Sequence, residues 1–154
     1  GGGLAGWEAR KAGERPAGSS ALDGVPSALP ALLRAHRVSE KAAAVGFDWP
    51  DYAGVRAKLQ EEVEELDEAV GTGVAARITE ELGDVLFTLV NLGRHLPTRA
   101  EDALREATDR FVSRFRDVEA TLSARGTRVQ DTDAETLEAT WRAAKRREST
   151  TESS

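Results

Sequence analysis

With 154 residues, 40% of them hydrophobic, the chain has room for one ordinary domain with a real core. Lys and Arg number 21 against 27 Asp and Glu, a net charge of −6, so no global basic field exists to hold a nucleic acid polymer or an anionic membrane. Cysteine is absent, which excludes disulfides, thiolate zinc sites and cysteine nucleophiles, and no apolar run approaches the ~20 residues that span a bilayer. A cytoplasmic protein is therefore expected. Methionine is absent too, and the Gly1-Gly2-Gly3 start lacks the regions of a signal peptide, so the sequence is expected to be a fragment or processed form of a longer chain.

Residues 1–30 carry repeated Gly, Pro and Ser, with one short helical stretch near Trp7, and read as a linker. The first long apolar-periodic segment follows Pro30, covers 31–45 and stops at Gly46. Asp48-Trp49-Pro50-Asp51 reads as a turn, and Val55, Leu59, Val63, Leu66 and Val70 then mark one stripe of a second helix. Gly71-Thr72-Gly73 breaks the pattern. A third helix is predicted over 74–96, and its middle, Val85 to Val90, is apolar almost all round, which calls for neighbours on more than one side. Leu104, Ala107, Phe111, Phe115, Val118 and Leu122 place a fourth helix over 100–124, ended by Gly126. Thr132-Asp133-Ala134-Glu135 resembles a capping box for a last helix to about residue 148, leaving 149–154 as a polar, frayed tail.

No strand pattern appears, so the expected fold is all-α, a bundle of four to five helices over 31–148. The apolar third helix is more than one such chain can cover, which points to a homodimer. A weak echo is also present: Trp7-x-x-x-Lys11-x-x-Glu14 repeats the spacing of Trp141-x-x-x-Lys145-x-x-Glu148. The first copy reads equally as the end of a preceding repeat or as an ordinary polar helix.

Chemistry enters with two acidic clusters, Glu61-Glu62-Val63-Glu64-Glu65 and Glu80-Glu81-Leu82-Gly83-Asp84. Each alone is most simply a solvated helix face. At roughly 100° per residue, however, Glu62 lies beside the Leu59–Leu66 stripe and Glu65 follows on the same flank, while Glu64 and Glu68 point away. Glu81 and Asp84 have the same offset beside the apolar run. Uncompensated anions bordering a core are costly, and an all-oxygen cluster of Asp and Glu is what hard Mg2+, or Mn2+ in its place, prefers. Gly83 is expected to let the two pairs approach across the hairpin. On the fourth helix Arg110 and Arg114 project from one face, and guanidinium forks match phosphate oxygens. The plainer reading of both is surface Arg with its stem on the core. Trp141 and Lys145 add an aromatic face and a cation one turn apart, although a Trp at helical spacing is more often core.

Glu62-x-x-Glu65, fifteen residues, then Glu81-x-x-Asp84 followed by Val-Leu-Phe resembles the signature of the MazG branch of the all-alpha nucleoside triphosphate (NTP) pyrophosphatases. The similarity extends through Leu29-Pro30-Ala31-Leu32-Leu33, Val45-Gly46-Phe47-Asp48-Trp49-Pro50, Val90-Asn91-Leu92 and Arg110-Phe111-x-x-Arg114-Phe115, so it covers most of the chain. The resemblance implies Mg2+ held by Glu62, Glu65, Glu81 and Asp84, triphosphate contacts from Arg110 and Arg114, and nucleotide contacts from Trp141 and Lys145. Lys58 and Arg77 match basic positions of such proteins, and Asn91 is a polar candidate on the same side of the third helix. The implied reaction is hydrolysis of NTPs or dNTPs to monophosphates and pyrophosphate, with broad base specificity. Two departures stand out. The family often has Asn and Lys where this chain has Thr108 and Arg110, and many members carry two tandem domains, so the Trp7 echo and the linker look like the junction before a second copy.

Two rival readings bound this one. A non-catalytic helical interaction or regulatory module would use the acidic clusters for solubility and the Phe111–Leu122 stripe as a partner face. A di-iron bundle would need Glu-x-x-His pairs, and neither His36 nor His95 has a Glu three residues before it, so both read as surface or core-edge residues.

Overall fold

The computed structural model describes residues 17–153, and the Trp7 echo lies outside them. Among the described residues five α-helices and one 3-10 turn form, with no strand. The described residues divide into two compact units, one ending at Ala103 and the other beginning at Leu104.

In the first unit α1 (Ala31–Ala44) starts after Pro30, whose φ of −50° already suits a helix entrance. It ends in a Schellman arrangement: the Phe47 amide donates to the Ala42 carbonyl and the Gly46 amide to Ala43, with Gly46 at φ 92°, a conformation few other residues adopt. α2 (Tyr52–Thr72) begins at Asp51, whose Oδ1 accepts the Gly54 amide at 2.8 Å. The expected break at Gly71-Thr72-Gly73 is narrower than the sequence suggests, since Gly71 and Thr72 are helical and only Gly73, at φ 67°, leaves the helix. α3 (Ala75–Arg94) follows at once and packs along α2 as a hairpin, while α1 packs against α3.

The buried line of α2 is Val55, Glu62 and Ala69, with Leu59 and Leu66 half-buried. Val63 and Val70, expected on the inner stripe, are turned outward, so the hairpin seam is rotated toward Glu62. On α3 the buried residues are Thr88, Val90, Asn91 and Gly93, all in the C-terminal half. Leu82, Leu86, Phe87 and Leu89 are each more than 40% exposed, so within the described residues α3 is not the fully surrounded central helix that its composition calls for. An added methyl at Gly83 would meet nothing within 4 Å, so the close helix approach expected there does not occur in the single chain.

α4 (Ala100–Ala124) begins at the end of the first unit, and its greater part belongs to the second with a 3-10 turn (Val129–Asp131) and α5 (Ala134–Glu152). Val118 and Leu122 of α4 and Ala144 of α5 form the core of this unit, with Val129, Leu137 and Trp141 packed against it. Burying a side chain such as Leu122 contributes ~1.5–3 kcal/mol. The cap of α5 is Asp133 rather than the expected Thr132: its Oδ2 accepts the Thr136 amide at 3.0 Å and its Oδ1 the Thr136 hydroxyl at 2.6 Å. Thr132 instead donates to the Arg128 carbonyl, closing the 3-10 turn. α5 continues to Glu152, past the end expected near residue 148, and Ser149, Thr150 and Thr151 bond back to carbonyls four residues earlier. No helix among the described residues is long and apolar enough to cross a membrane.

Candidate functional site

Glu62 of α2 and Glu81 and Asp84 of α3 each bring a carboxylate oxygen to one place, all within 4.8 Å of one another. The three grade from inside to outside: Glu62 is 6% exposed, Glu81 is half-buried and Asp84 is exposed. The rotated seam of α2 causes this, because it puts Glu62 where an apolar residue would ordinarily sit. Glu62 Oε2 and Glu81 Oε2 are both buried without a hydrogen-bond donor. Anionic oxygens in that state are unfavourable by several kcal/mol unless a cation joins them.

Lys58, one turn before Glu62, answers part of that charge, with its ammonium 3.1 Å from Glu62 Oε1 and 3.4 Å from Glu61 Oε2. The bonds to Glu62 and then to Glu61 raise its pKa, so it stays protonated. Glu65 is exposed and stands outside the three-oxygen group. Its carboxyl is nevertheless pushed up, first by the charge of Glu62, then by desolvation and the charge of Glu81. Glu65 thus feels the same crowded negative field, while Arg77 is exposed one turn before Glu81. Three all-oxygen donors, two of them with orphaned buried atoms, fit a hard divalent cation, and the cluster could hold a metal ion.

The second unit groups the candidate phosphate and nucleotide contacts. Arg110 and Lys145 are exposed. Arg114 is half-buried, donates from Nε to Glu148 Oε2 at 2.6 Å, and holds its Cζ 5.8 Å from the centre of the Trp141 ring. Trp141 packs on the Val118, Leu122 and Ala144 core, with Phe111 tilted 45° against it at 5.3 Å. Its indole therefore has a structural job in this unit. Thr108 bonds its hydroxyl to the Leu104 carbonyl within its own helix.

Asn91 is buried on α3. It is 2% exposed, donates its amide to the Phe87 carbonyl at 2.9 Å and accepts from Arg94 at 2.7 Å. Arg94 in turn grips Asp48 through two bonds, of 2.6 and 3.1 Å, with His95 3.6 Å from the same carboxylate. Burial opposes the Asp48 charge, but the Arg94 bonds and charge outweigh it and hold the carboxyl below its usual range. This network was not legible in the sequence, where Asp48 is only a turn residue and its partner lies 46 positions away. The Glu148 to Arg114 bond was missed too, although Glu148 closes the Trp-x-x-x-Lys-x-x-Glu spacing.

A helical hairpin that brings Glu62 of one arm together with Glu81 and Asp84 of the other, around orphaned buried oxygens, is an all-α arrangement that could hold a metal ion. Residues 52–119 match the family model of the MazG nucleotide pyrophosphohydrolase domain. The match spans α2, α3 and α4 as far as Glu119, and so takes in Glu62, Glu65, Glu81, Asp84, Arg110 and Arg114. The chain is 45% identical over 149 residues to the nucleoside triphosphate pyrophosphohydrolase of Escherichia coli (strain K12), covering 94% of this chain and 57% of that protein. It is 41% identical over 140 residues to the nucleoside triphosphate pyrophosphohydrolase/pyrophosphatase MazG of Thermotoga maritima, covering 90% of this chain and 54% of that protein. Residues 52–119 of this chain thus carry the MazG-type domain match, and the chain spans somewhat more than half the length of these curated relatives.

Proposed function

We propose that the chain hydrolyses nucleoside triphosphates, NTPs and dNTPs, to the monophosphates and pyrophosphate, using Mg2+, or Mn2+ in its place, held by Glu62, Glu81 and Asp84 with Glu65 beside them. The observation that carries this is the pair of buried carboxylate oxygens without donors, lying inside the segment that matches the family model. The names of the two relatives support the reaction.

The bond broken is the α–β phosphoanhydride: the oxygen of water joins phosphorus, the bridging oxygen leaves with pyrophosphate, and the protons of water pass to solvent and product. When bound, Mg2+ supplies positive charge to the phosphate oxygens and lowers the pKa of water. Arg110, Arg114 and Lys145 supply cations where charge moves onto the leaving group. Lys58, 3.1 Å from Glu62 Oε1, offsets part of the charge of the cluster. Glu61, a candidate base, is exposed and bonded to Lys58. Base selectivity is broad in this reading, because Asn91, a polar candidate on α3, has its amide engaged by Phe87 and Arg94. The functional unit is a homodimer, supported by the exposed Leu82, Leu86, Phe87 and Leu89 of α3.

The test is pyrophosphate release over a panel of NTPs and dNTPs, with Mg2+ or with chelator, alongside thermal unfolding. Wild type is expected to turn over several nucleotides within roughly one to two decades of kcat/KM. Mg2+ should raise its unfolding midpoint. Glu81→Gln and Asp84→Asn should abolish turnover and the Mg2+ shift while keeping the helical circular dichroism. Near-normal turnover in both variants would sink the metal assignment, and silence of the wild type on every nucleotide would sink the reaction.

A further inference from the structure

Glu148 has no part in the chemistry above, yet it makes the shortest contact to one of the proposed phosphate cations. Trp141, Lys145 and Glu148 stand at i, i+4 and i+7 on α5 and so share one face of it. From that face Glu148 Oε2 accepts the Arg114 Nε proton at 2.6 Å, with the two side chains 29% and 20% exposed. The Trp141 ring lies 5.8 Å from the guanidinium carbon. The guanidinium is thus fixed at its Nε edge by a charge-assisted bond and beside an aromatic ring. No hydrogen bond among the described residues engages its two Nη groups.

That division of the fork matters. A phosphate taken bidentately by the Nη pair leaves the Nε bond intact, so Glu148 and a phosphate do not compete for the same protons. Without Glu148 the long Arg side chain regains its rotamers and must be ordered by the ligand itself. We infer that Glu148 is a positioning residue, which holds the Arg114 guanidinium with its Nη edge presented to a triphosphate. This rests on the reading of Arg114 as a phosphate contact.

The experiment compares wild type, Glu148→Ala, Glu148→Gln, Arg114→Ala and the Arg114→Ala/Glu148→Ala double variant. Two quantities are read on the full chain with Mg2+: kcat/KM for ATP, and calorimetric affinity for the non-hydrolysed analogue α,β-methylene ATP. Glu148→Ala should lose about ten- to a hundredfold in kcat/KM, the range of a misplaced contact, and weaken analogue binding in step. Glu148→Gln, which still offers an acceptor to Nε, should recover most of both. In the Arg114→Ala background, removal of Glu148 should have no further effect. The inference is overturned if Glu148→Ala is neutral, if it tightens analogue binding as relief of a competing anion would, if Gln fails to rescue, or if the two losses multiply. The underlying reading fails separately, and takes the inference with it, if Arg114→Ala alone changes neither quantity.

Discussion

His36 shows how burial converts a side chain into a pH-dependent stability element. It is 7% exposed, its Nδ1 has no partner, and its Nε2 lies 3.4 Å from Glu40. Burial lowers its pKa below the usual 6.5, with the charges of Arg99 and Arg94 adding to that effect and Glu40 opposing it. The folded state therefore binds this proton less tightly than the unfolded chain. Its contribution is fully present above the ordinary imidazole value and is lost as pH falls through that value toward the folded one. The unfolding midpoint should decline on acidification from about pH 7 to about pH 5, and His36→Gln should flatten that slope. An identical slope in the variant would place the titration elsewhere.

The same contrast between solvent and interior separates what was legible in the acidic residues from what was not. Helical spacing was enough to put Glu62 inward and Glu64 and Glu68 outward, as found. It could not give the rotation of the seam that buries Glu62 and turns Val63 out, because that depends on the partner helix. Nor could spacing tell that Asn91 would be spent on Arg94, since a buried amide and a site amide look alike on a helical wheel.

At the scale of elements, helix existence and order followed from periodicity and punctuation, whereas end points followed from individual hydrogen bonds. Asp133 displaced Thr132 as the cap because its two oxygens satisfy both the amide and the hydroxyl of Thr136, a local choice that the Thr-x-x-Glu pattern does not contain. The α2–α3 turn offers a direct measure. Gly73 has a left-handed φ of 67°, while Gly71 is helical and an added methyl there meets nothing within 4 Å. Gly73→Ala should cost about 1 kcal/mol or more from strain, and Gly71→Ala should stabilise by about 0.5 kcal/mol by narrowing the unfolded ensemble. Urea unfolding of both variants checks the pair. Equal effects of one sign would mean that the turn is not where the helix ends.

At the scale of the whole molecule, the apolar girth of α3 exceeds what the described residues cover. Leu86 and Phe87 are 46% and 43% exposed, and few large side chains among the described residues are fully buried. Light scattering should report about twice the chain mass of 16.5 kDa at micromolar concentration. Leu86→Glu should shift the species toward a single chain and leave the helical signal in place. A wild-type monomer with full turnover would contradict the homodimer.

The clamp of Arg94 on Asp48 fixes more than one ion pair. Arg94 has a side chain only 9% exposed and its Nε already lacks a partner, so releasing the carboxylate would leave a buried cation with only the Asn91 amide oxygen to bond, at a cost of about 3 kcal/mol. The connector between α1 and α2 is therefore tied to the end of α3 through this pair. Hydrogen exchange checks this: the connector amides are expected to exchange together with those at the end of α3, and Asp48→Asn should uncouple the two. Phe47, 82% exposed, stands on that same tethered connector.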